Sequence, residues 1–386
     1  MNAHRATVVA AAVAAIASGV FVHDPAAQGT GLTAASQVAR TYEAIMDARV
    51  AEVPSRLSDT CPPAPPEVCQ LLGVVSAWWQ IQQDPLSRSR DAAFEKQADD
   101  AIEAIDRWTR REPGRAEAWF YLGGAIGARA QWRVLRGETL AAARDGKRIK
   151  AALERALMID PAMQDAYFGI GLYHYYAGVA PTFAKMLRWL LILPGGDRDQ
   201  GLQEMQRARN GGQLLRSEAD YQLHVIYVWY EKQPARAVEL LTALAQRHPH
   251  NPHFLEQIGR IEDGYTLDHP ASLRAWTTLM ERARSGQVAY AELALTRARL
   301  GAALELDHTG QPEAAIPLLR AVIDSKPRAP VAAEALAQLQ LGYVYDRLSQ
   351  REAARAAYRA ALAVNPADDP LKIESKARAG LRSRLP

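Results

Sequence analysis

The sequence has little cysteine and almost no excess charge. Its 386 residues include 2 Cys, too few for a disulfide-built scaffold or a four-cysteine zinc site. Lys and Arg number 46 against 43 Asp and Glu, which gives a formal net charge of +3. Because nucleic-acid binding needs many uncompensated cations facing phosphate, we expect no nucleic-acid partner. Hydrophobic residues make up 48% of the chain, as in an ordinary folded protein.

Motifs for catalysis are also missing. The chain contains no Gly-x-Ser-x-Gly elbow, no Walker-type glycine loop, no His-Glu-x-x-His and no Cys-x-x-Cys. The adjacent pairs Asp99-Asp100 and Asp368-Asp369 lie at or near expected helix starts, where carboxylates favour the helix dipole. We therefore predict that the protein is not an enzyme, with no catalytic residues and no cofactor.

A long uncharged run is confined to the amino terminus. Residues 6–22 carry no charge and follow Arg5, and small residues suited to cleavage follow near 19–28. This order is typical of a secretory signal peptide. We predict a signal peptide over residues 1–28, a periplasmic or secreted protein, and no stable membrane span after cleavage. An uncleaved amino-terminal anchor is the alternative.

Export bears on the two cysteines. Cys61 and Cys69 enclose a proline-rich loop. In an oxidising compartment we expect one local disulfide that pins this loop to a helix beginning near Glu67. Two unpaired thiols are the alternative. We expect no metal there, because no histidine or carboxylate cluster flanks the pair at ligand spacing.

A repeated pattern occupies the carboxyl-terminal half. Leu341-Gly342 is followed, at fixed spacing, by Tyr345, Ala354, Tyr358, Ala361-Leu362 and Pro366. This unit, over residues 335–368, resembles the tetratricopeptide repeat (TPR), in which two helices cross at small residues and a proline ends the second. Residues 311–327 and 218–251 match parts of the same pattern. No stretch alternates with a period of two for long enough to form a strand.

The resemblance implies an all-α fold, a TPR-like α-solenoid in which antiparallel helix pairs form a right-handed superhelix. The interval from Gly123 to Pro161 is about 14 residues longer than the repeat template gives, close to two extra turns on each helix. We therefore expect elongated helices in the amino-terminal half. The expected organisation is an amino-terminal helix and proline-rich loop over 29–63, elongated degenerate pairs over 64–213, TPR repeats over 214–368 and a capping helix over 369–386.

The resemblance also implies a binding face. Certain positions of each first helix face the groove of the superhelix, and here they hold aromatic and polar side chains suited to an extended peptide. The predicted partner-binding residues are Tyr175, Tyr176, Gln222, Trp229, Tyr230, Arg260, Tyr343 and Arg347. We predict a scaffold that binds a protein or peptide in the cell envelope through its concave face. Helix packing by the aromatics, and an aromatic pocket for a small molecule or glycan, remain alternatives.

Three further segments are interpreted as structural. His248, His250 and His253 have no visible fourth ligand, so we predict an ordinary turn between repeats and no metal. The basic stretch 129–150 is interpreted as the solvated face of long helices, with docking to an acidic partner as the alternative. The amphipathic segment 183–196 is too short and too charged to span a membrane. It either plugs the repeat stack or makes a peripheral contact with a lipid surface.

Overall fold

The computed structural model describes residues 31–179 and 195–384, and within these ranges it contains helices and no strand. The signal peptide predicted for residues 1–28 lies outside them, as does the segment 183–196 up to residue 194. Two short helices come first, α1 (Ala35–Met46) and α2 (Val53–Thr60), and a 3-10 turn (Val50–Glu52) joins them.

The helices of the array then follow in chain order. They are α3 (Pro66–Gln83), α4 (Asp91–Arg111), α5 (Ala116–Leu135), α6 (Thr139–Ile159), α7 (Ala166–Val179), α8 (Arg198–Gly211), α9 (Arg216–Trp229), α10 (Pro234–Arg247), α11 (Pro252–Ile261), α12 (His269–Arg284), α13 (Ala291–His308), α14 (Pro312–Ser325), α15 (Ala333–Arg347), α16 (Arg351–Val364) and α17 (Ile373–Arg382). Each packs on the next, and α11, α13, α15 and α17 also contact one another in succession. Such contacts define a solenoid of helix pairs, as predicted.

The helices near the amino-terminal end of the array are longer than those near its carboxyl-terminal end. Helices α4, α5 and α6 have 21, 20 and 21 residues, whereas α14, α15 and α16 have 14, 15 and 14. Helix α4 remains regular over this length because Phe94, Ala98, Ile102 and Ile105 recur every three or four residues and are buried. The elongated helices expected from the sequence are therefore present.

One contact recurs along the array. A large side chain of the second helix in a pair is enclosed between a glycine of the first helix and a glycine of the following helix. The three sets are Gly123, Leu153 and Gly169; Gly259, Trp276 and Gly301; and Gly342, Tyr358 and Gly380. A Cβ atom added at any of these glycines would lie 2.3 to 2.7 Å from the enclosed side chain. Glycine thus permits the helices to approach closely at the crossing.

The amino-terminal helices pack across the middle of the array. The Tyr42 hydroxyl in α1 donates to Glu218 Oε2 in α9 at 3.0 Å, and Asn251 Nδ2 donates to the Met46 carbonyl at 2.7 Å. In α3, the Trp79 ring lies against Phe254 of α11, with 5.9 Å between centroids. The start of the chain therefore covers part of the surface of α9 and α11. The sequence pattern gave no indication of this packing.

The structure bears on two local predictions, the disulfide before α3 and the solvated basic face of the long helices. Cys61 and Cys69 form a disulfide that ties the loop after α2 to the first turns of α3, and α3 begins at Pro66, one residue before the expected start.

In the basic stretch, Arg129 is buried and its guanidinium contacts Asp145 at 2.7 Å. Arg136 contacts Asp91 at 2.7 Å. Both arginines form ion pairs between helices inside the fold. This corrects the interpretation of the stretch 129–150 as a solvated face.

Candidate partner-binding surface

Aromatic side chains meet where α7 and α9 end. Tyr175 and Tyr176 of α7 contact Tyr230, the residue after α9, with ring centroids 5.9 and 5.4 Å apart, and the three rings meet edge to face. Trp229 contacts Tyr265 across the next turn at 5.6 Å. Tyr265 lies in a π-helical turn, Glu262–Thr266, that continues α11. The contacts bring aromatic residues from three helix pairs together.

Several of these side chains are open to solvent. The exposed fractions are 60% for Trp229, 47% for Tyr230 and 40% for Tyr265, and Leu267 beside the π-helical turn is 68% exposed. We call Trp229, Tyr230, Tyr265 and Leu267 the aromatic surface. Single exposed apolar residues are ordinary on proteins, whereas a group of large ones marks a surface for interaction.

Polar contacts around Glu231 hold the base of the aromatic surface. The Tyr175 hydroxyl donates to Glu231, and Arg198 at the start of α8 forms an ion pair with the same carboxylate. Burial raises the pKa of Tyr175, and the hydrogen bond to Glu231 adds to the rise. Burial, with Tyr230 nearby, also raises the pKa of Tyr176. Both phenols are therefore neutral at physiological pH, and Glu231 fixes the end of α9 against α7 and α8.

Two of the predicted binding residues are internal. Tyr175 has no exposed surface, and Gln222 is 9% exposed. Gln222 Nε2 donates to Gln131 in α5 at 2.8 Å, and also lies 3.3 Å from Glu218 Oε1. We therefore correct the assignment of Tyr175 and Gln222 to an accessible wall, because other helices of the same chain cover them. Tyr176 is partly buried, and its role in binding stays a prediction.

The other three predicted residues each contact a different side chain. Arg260 forms an ion pair with Glu256 of its own helix at 2.7 Å, and Arg347 contacts Asp307 of α13 at 2.7 Å. Tyr343 packs against Tyr358, with ring centroids 5.9 Å apart. Among the described residues, no hydrogen bond, ion pair or ring contact joins these three to the aromatic surface. Partner binding by these three residues stays a prediction.

Tyr265 and Leu267 were missed by the sequence analysis. They lie in the segment IEDGYTLDHP, where an aromatic and a leucine stand among polar residues between α11 and α12. Two large apolar residues in a polar connection could have indicated an exposed patch. Helix periodicity gave no such indication, because the π-helical turn and the left-handed backbone of Leu267 (φ 58°) interrupt it.

The three neighbouring histidines face different partners. His248 Nε2 lies 3.0 Å from Ser217 Oγ, His253 Nε2 lies 2.9 Å from the Tyr221 hydroxyl, and His250 contacts Asp47. Burial lowers the pKa of both His248 and His253 to about 4. These contacts are those of a turn fixed between repeats, as we interpreted the segment. A different set of side chains, Asp263, His269, Glu305 and His308, does bring metal-ligating atoms together.

The described residues bear on a membrane contact and on the alternative of an aromatic pocket. No helix in residues 31–179 or 195–384 is both long and apolar enough to cross a membrane. Two shallow depressions on the described surface are lined by Glu154, Leu157 and Met158, and by residues between 369 and 378. Neither contains a residue of the aromatic surface. No observation therefore favours the small-molecule or glycan alternative.

Comparison with known proteins finds one matching family model and several similar solved structures. Residues 335–368 match the tetratricopeptide repeat family model. No curated protein sequence matches the chain. Among solved structures, yeast Tom70 is similar at 13% identity with a TM-score of 0.41, covering 82% of this chain and 64% of that one.

Two further solved structures are similar. The APC/C hetero-tetramer Cut9-Hcn1 has 12% identity and a TM-score of 0.41, over 81% of this chain and 55% of that one. NprR in complex with its cognate peptide NprX has 10% identity and a TM-score of 0.38, over 90% and 82%. The chain spans less than two thirds of yeast Tom70 and of the Cut9-Hcn1 chain. The match at residues 335–368 therefore identifies one tetratricopeptide repeat within a solenoid of stacked helix pairs.

Proposed function

We propose that this protein is a non-catalytic scaffold that binds an extended segment of a protein or peptide partner. The observation that carries the proposal is the aromatic surface, whose four large side chains are 40 to 68% exposed. The TPR fold is typical of proteins that bind other proteins. Contact with the rings would remove apolar side chains of a partner from water. This burial stabilises the complex by about 25 cal/mol for each Å² of apolar area buried.

The structure supports a partner site at the ends of helices rather than along the whole concave face. The surface of α9 is covered in part by Tyr42 of α1 and Gln131 of α5. Trp229, Tyr230 and Tyr265 remain exposed beyond this cover. Tyr230 packs on the buried Tyr175, and Trp229 packs on Tyr265. A rigid aromatic group of this kind binds at low entropic cost, because its side chains are already held in place.

Peptide selection provides the test. The purified chain is used to select binders from a random peptide display library, and selected peptides are titrated against variants. We expect peptides rich in apolar and aromatic residues. Trp229→Ala combined with Tyr265→Ala should weaken their binding by at least about tenfold, since exposed aromatic anchors dominate such interfaces.

Met158→Ala is the matched control, because Met158 is also exposed, at 68%, but lies on α6 away from the aromatic surface. It should bind the selected peptides as the unchanged protein does. The proposal fails if no peptide is enriched, or if the variant with both Trp229→Ala and Tyr265→Ala binds the selected peptides as tightly as Met158→Ala does. Circular dichroism of each variant checks that the helices remain.

We also propose that the protein acts in the cell envelope after export. The uncharged run over residues 6–22 supports this, together with the disulfide between Cys61 and Cys69. Amino-terminal sequencing of the protein from a periplasmic fraction tests it. A mature start near residues 19–28 is the expected result, and a protein found only in the cytosol with its first residues intact would contradict export.

A further inference from the structure

Four side chains from three separate segments converge beside the π-helical turn. Asp263 lies within the turn, His269 is the first residue of α12, and Glu305 and His308 lie in the last turn of α13. One ligating atom from each lies within 4.8 Å of all the others. Glu305 and His308 are three residues apart, so they project from the same face of α13.

The distances suit a four-coordinate metal ion. His269 Nδ1 lies 3.0 Å from Glu305 Oε2 and 3.5 Å from Asp263 Oδ1, and His308 Nδ1 lies 3.3 Å from the same Asp263 oxygen. Ligand atoms around tetrahedral Zn²⁺ with bonds of 2.0–2.1 Å are about 3.3 Å apart. Two carboxylates and two neutral imidazoles also match the charge of a divalent cation and the ligands that zinc accepts.

A supporting hydrogen bond orients the most buried of these side chains. Glu305 has no exposed surface, and its Oε1 accepts a hydrogen bond from Ser272 Oγ at 2.8 Å. This leaves Oε2 directed toward His269. Such second contacts fix the orientation of ligating carboxylates and histidines in metal sites. By contrast, His269 and His308 are 32 and 36% exposed, so an ion can enter from solvent.

We propose that Asp263, His269, Glu305 and His308 bind one divalent transition-metal ion, with Zn²⁺ as the probe. All four positions come from the chain, which is the arrangement of a structural site rather than a catalytic one. The ion would join the π-helical turn to α12 and α13. Because that turn carries Tyr265, the metal would also fix one part of the aromatic surface. The proposal does not depend on partner binding.

The test measures Zn²⁺ binding to the full chain after dialysis against a chelator. Calorimetric titration and native mass spectrometry should give one Zn²⁺ per chain, and Zn²⁺ should raise the melting temperature. His308→Ala should weaken binding by about a hundredfold or more, since loss of outer contacts alone costs 10- to 100-fold. Co²⁺ added in place of Zn²⁺ should show the visible absorption of a tetrahedral site.

His250→Ala is the matched control. It removes an exposed histidine that contacts a carboxylate, Asp47, outside the cluster, and it should leave Zn²⁺ affinity unchanged. Glu305→Gln is a second test, because it removes a ligating carboxylate while keeping the shape of the side chain, and it should also weaken Zn²⁺ binding. The proposal is overturned if the unchanged chain binds no stoichiometric Zn²⁺, or if His308→Ala binds as tightly as His250→Ala.

Discussion

Trp276 shows how single residues determine the approach of the helices. Its ring lies between Gly259 of α11 and Gly301 of α13 and is 5% exposed. A Cβ atom at Gly301 would lie 2.3 Å from the ring, and one at Gly259 would lie 2.6 Å from it. The ring cannot move away from one glycine without meeting the other. Neither Gly259 nor Gly301 can therefore be replaced by a residue with a side chain unless the helices separate.

We predict that Gly301→Ala lowers the free energy of unfolding by about 1–3 kcal/mol, because overpacking forces the helices apart. Gly127→Ala is the control, since a Cβ atom on that helical glycine meets nothing within 4 Å. It should be neutral or stabilising by up to about 1 kcal/mol. Urea denaturation measures both variants, and equal effects would contradict the account of the crossing.

At the scale of helices, local patterns were predictable and long-range contacts were not. The crossing of α15 and α16 follows from the spacing of Gly342 and Tyr358 within one repeat, and the structure has it. The contact of Tyr42 with Glu218 instead joins two residues that are 176 positions apart. A single sequence contains no local signal for such pairs.

Helices α3, α9 and α11 meet at His253, which gives a prediction on pH. Its ring contacts Tyr221 of α9 and Trp79 of α3. Burial lowers the folded-state pKa of His253 to about 4, below its ordinary value of about 6.5. The unfolded chain thus binds a proton first as pH falls. The contribution of neutral His253 to the free energy of unfolding is present above pH 6.5 and is lost progressively toward pH 4.

The expected loss from His253 between about pH 7.5 and pH 5 is about 2 kcal/mol. His253→Gln removes this titration, so the variant should lose about 2 kcal/mol less than the unchanged protein over the same interval. Urea denaturation at the two pH values measures the difference. Identical losses in the two proteins would show that His253 is not kept neutral by the contact among these helices.

For the whole molecule, the placement of the amino-terminal helices decides which predicted residues remain accessible. Trp229 and Arg260 lie on helices predicted as the first of a pair, Tyr230 follows directly after one, and all three are substantially exposed. Gln222 belongs to the same pattern but is covered, because α5 and the start of the chain pack over α9. Sequence position assigns a helix face, whereas accessibility depends on the fold of the entire chain.

The most direct test of the central claim replaces Trp229 with a photo-crosslinking phenylalanine analogue in the cells that make the protein. The same analogue at Met158, which is also exposed, serves as the reference. We predict a discrete crosslinked protein or peptide from position 229 that is absent from position 158. Identical products from both positions, or none from position 229 in folded protein, would contradict a partner site at the aromatic surface.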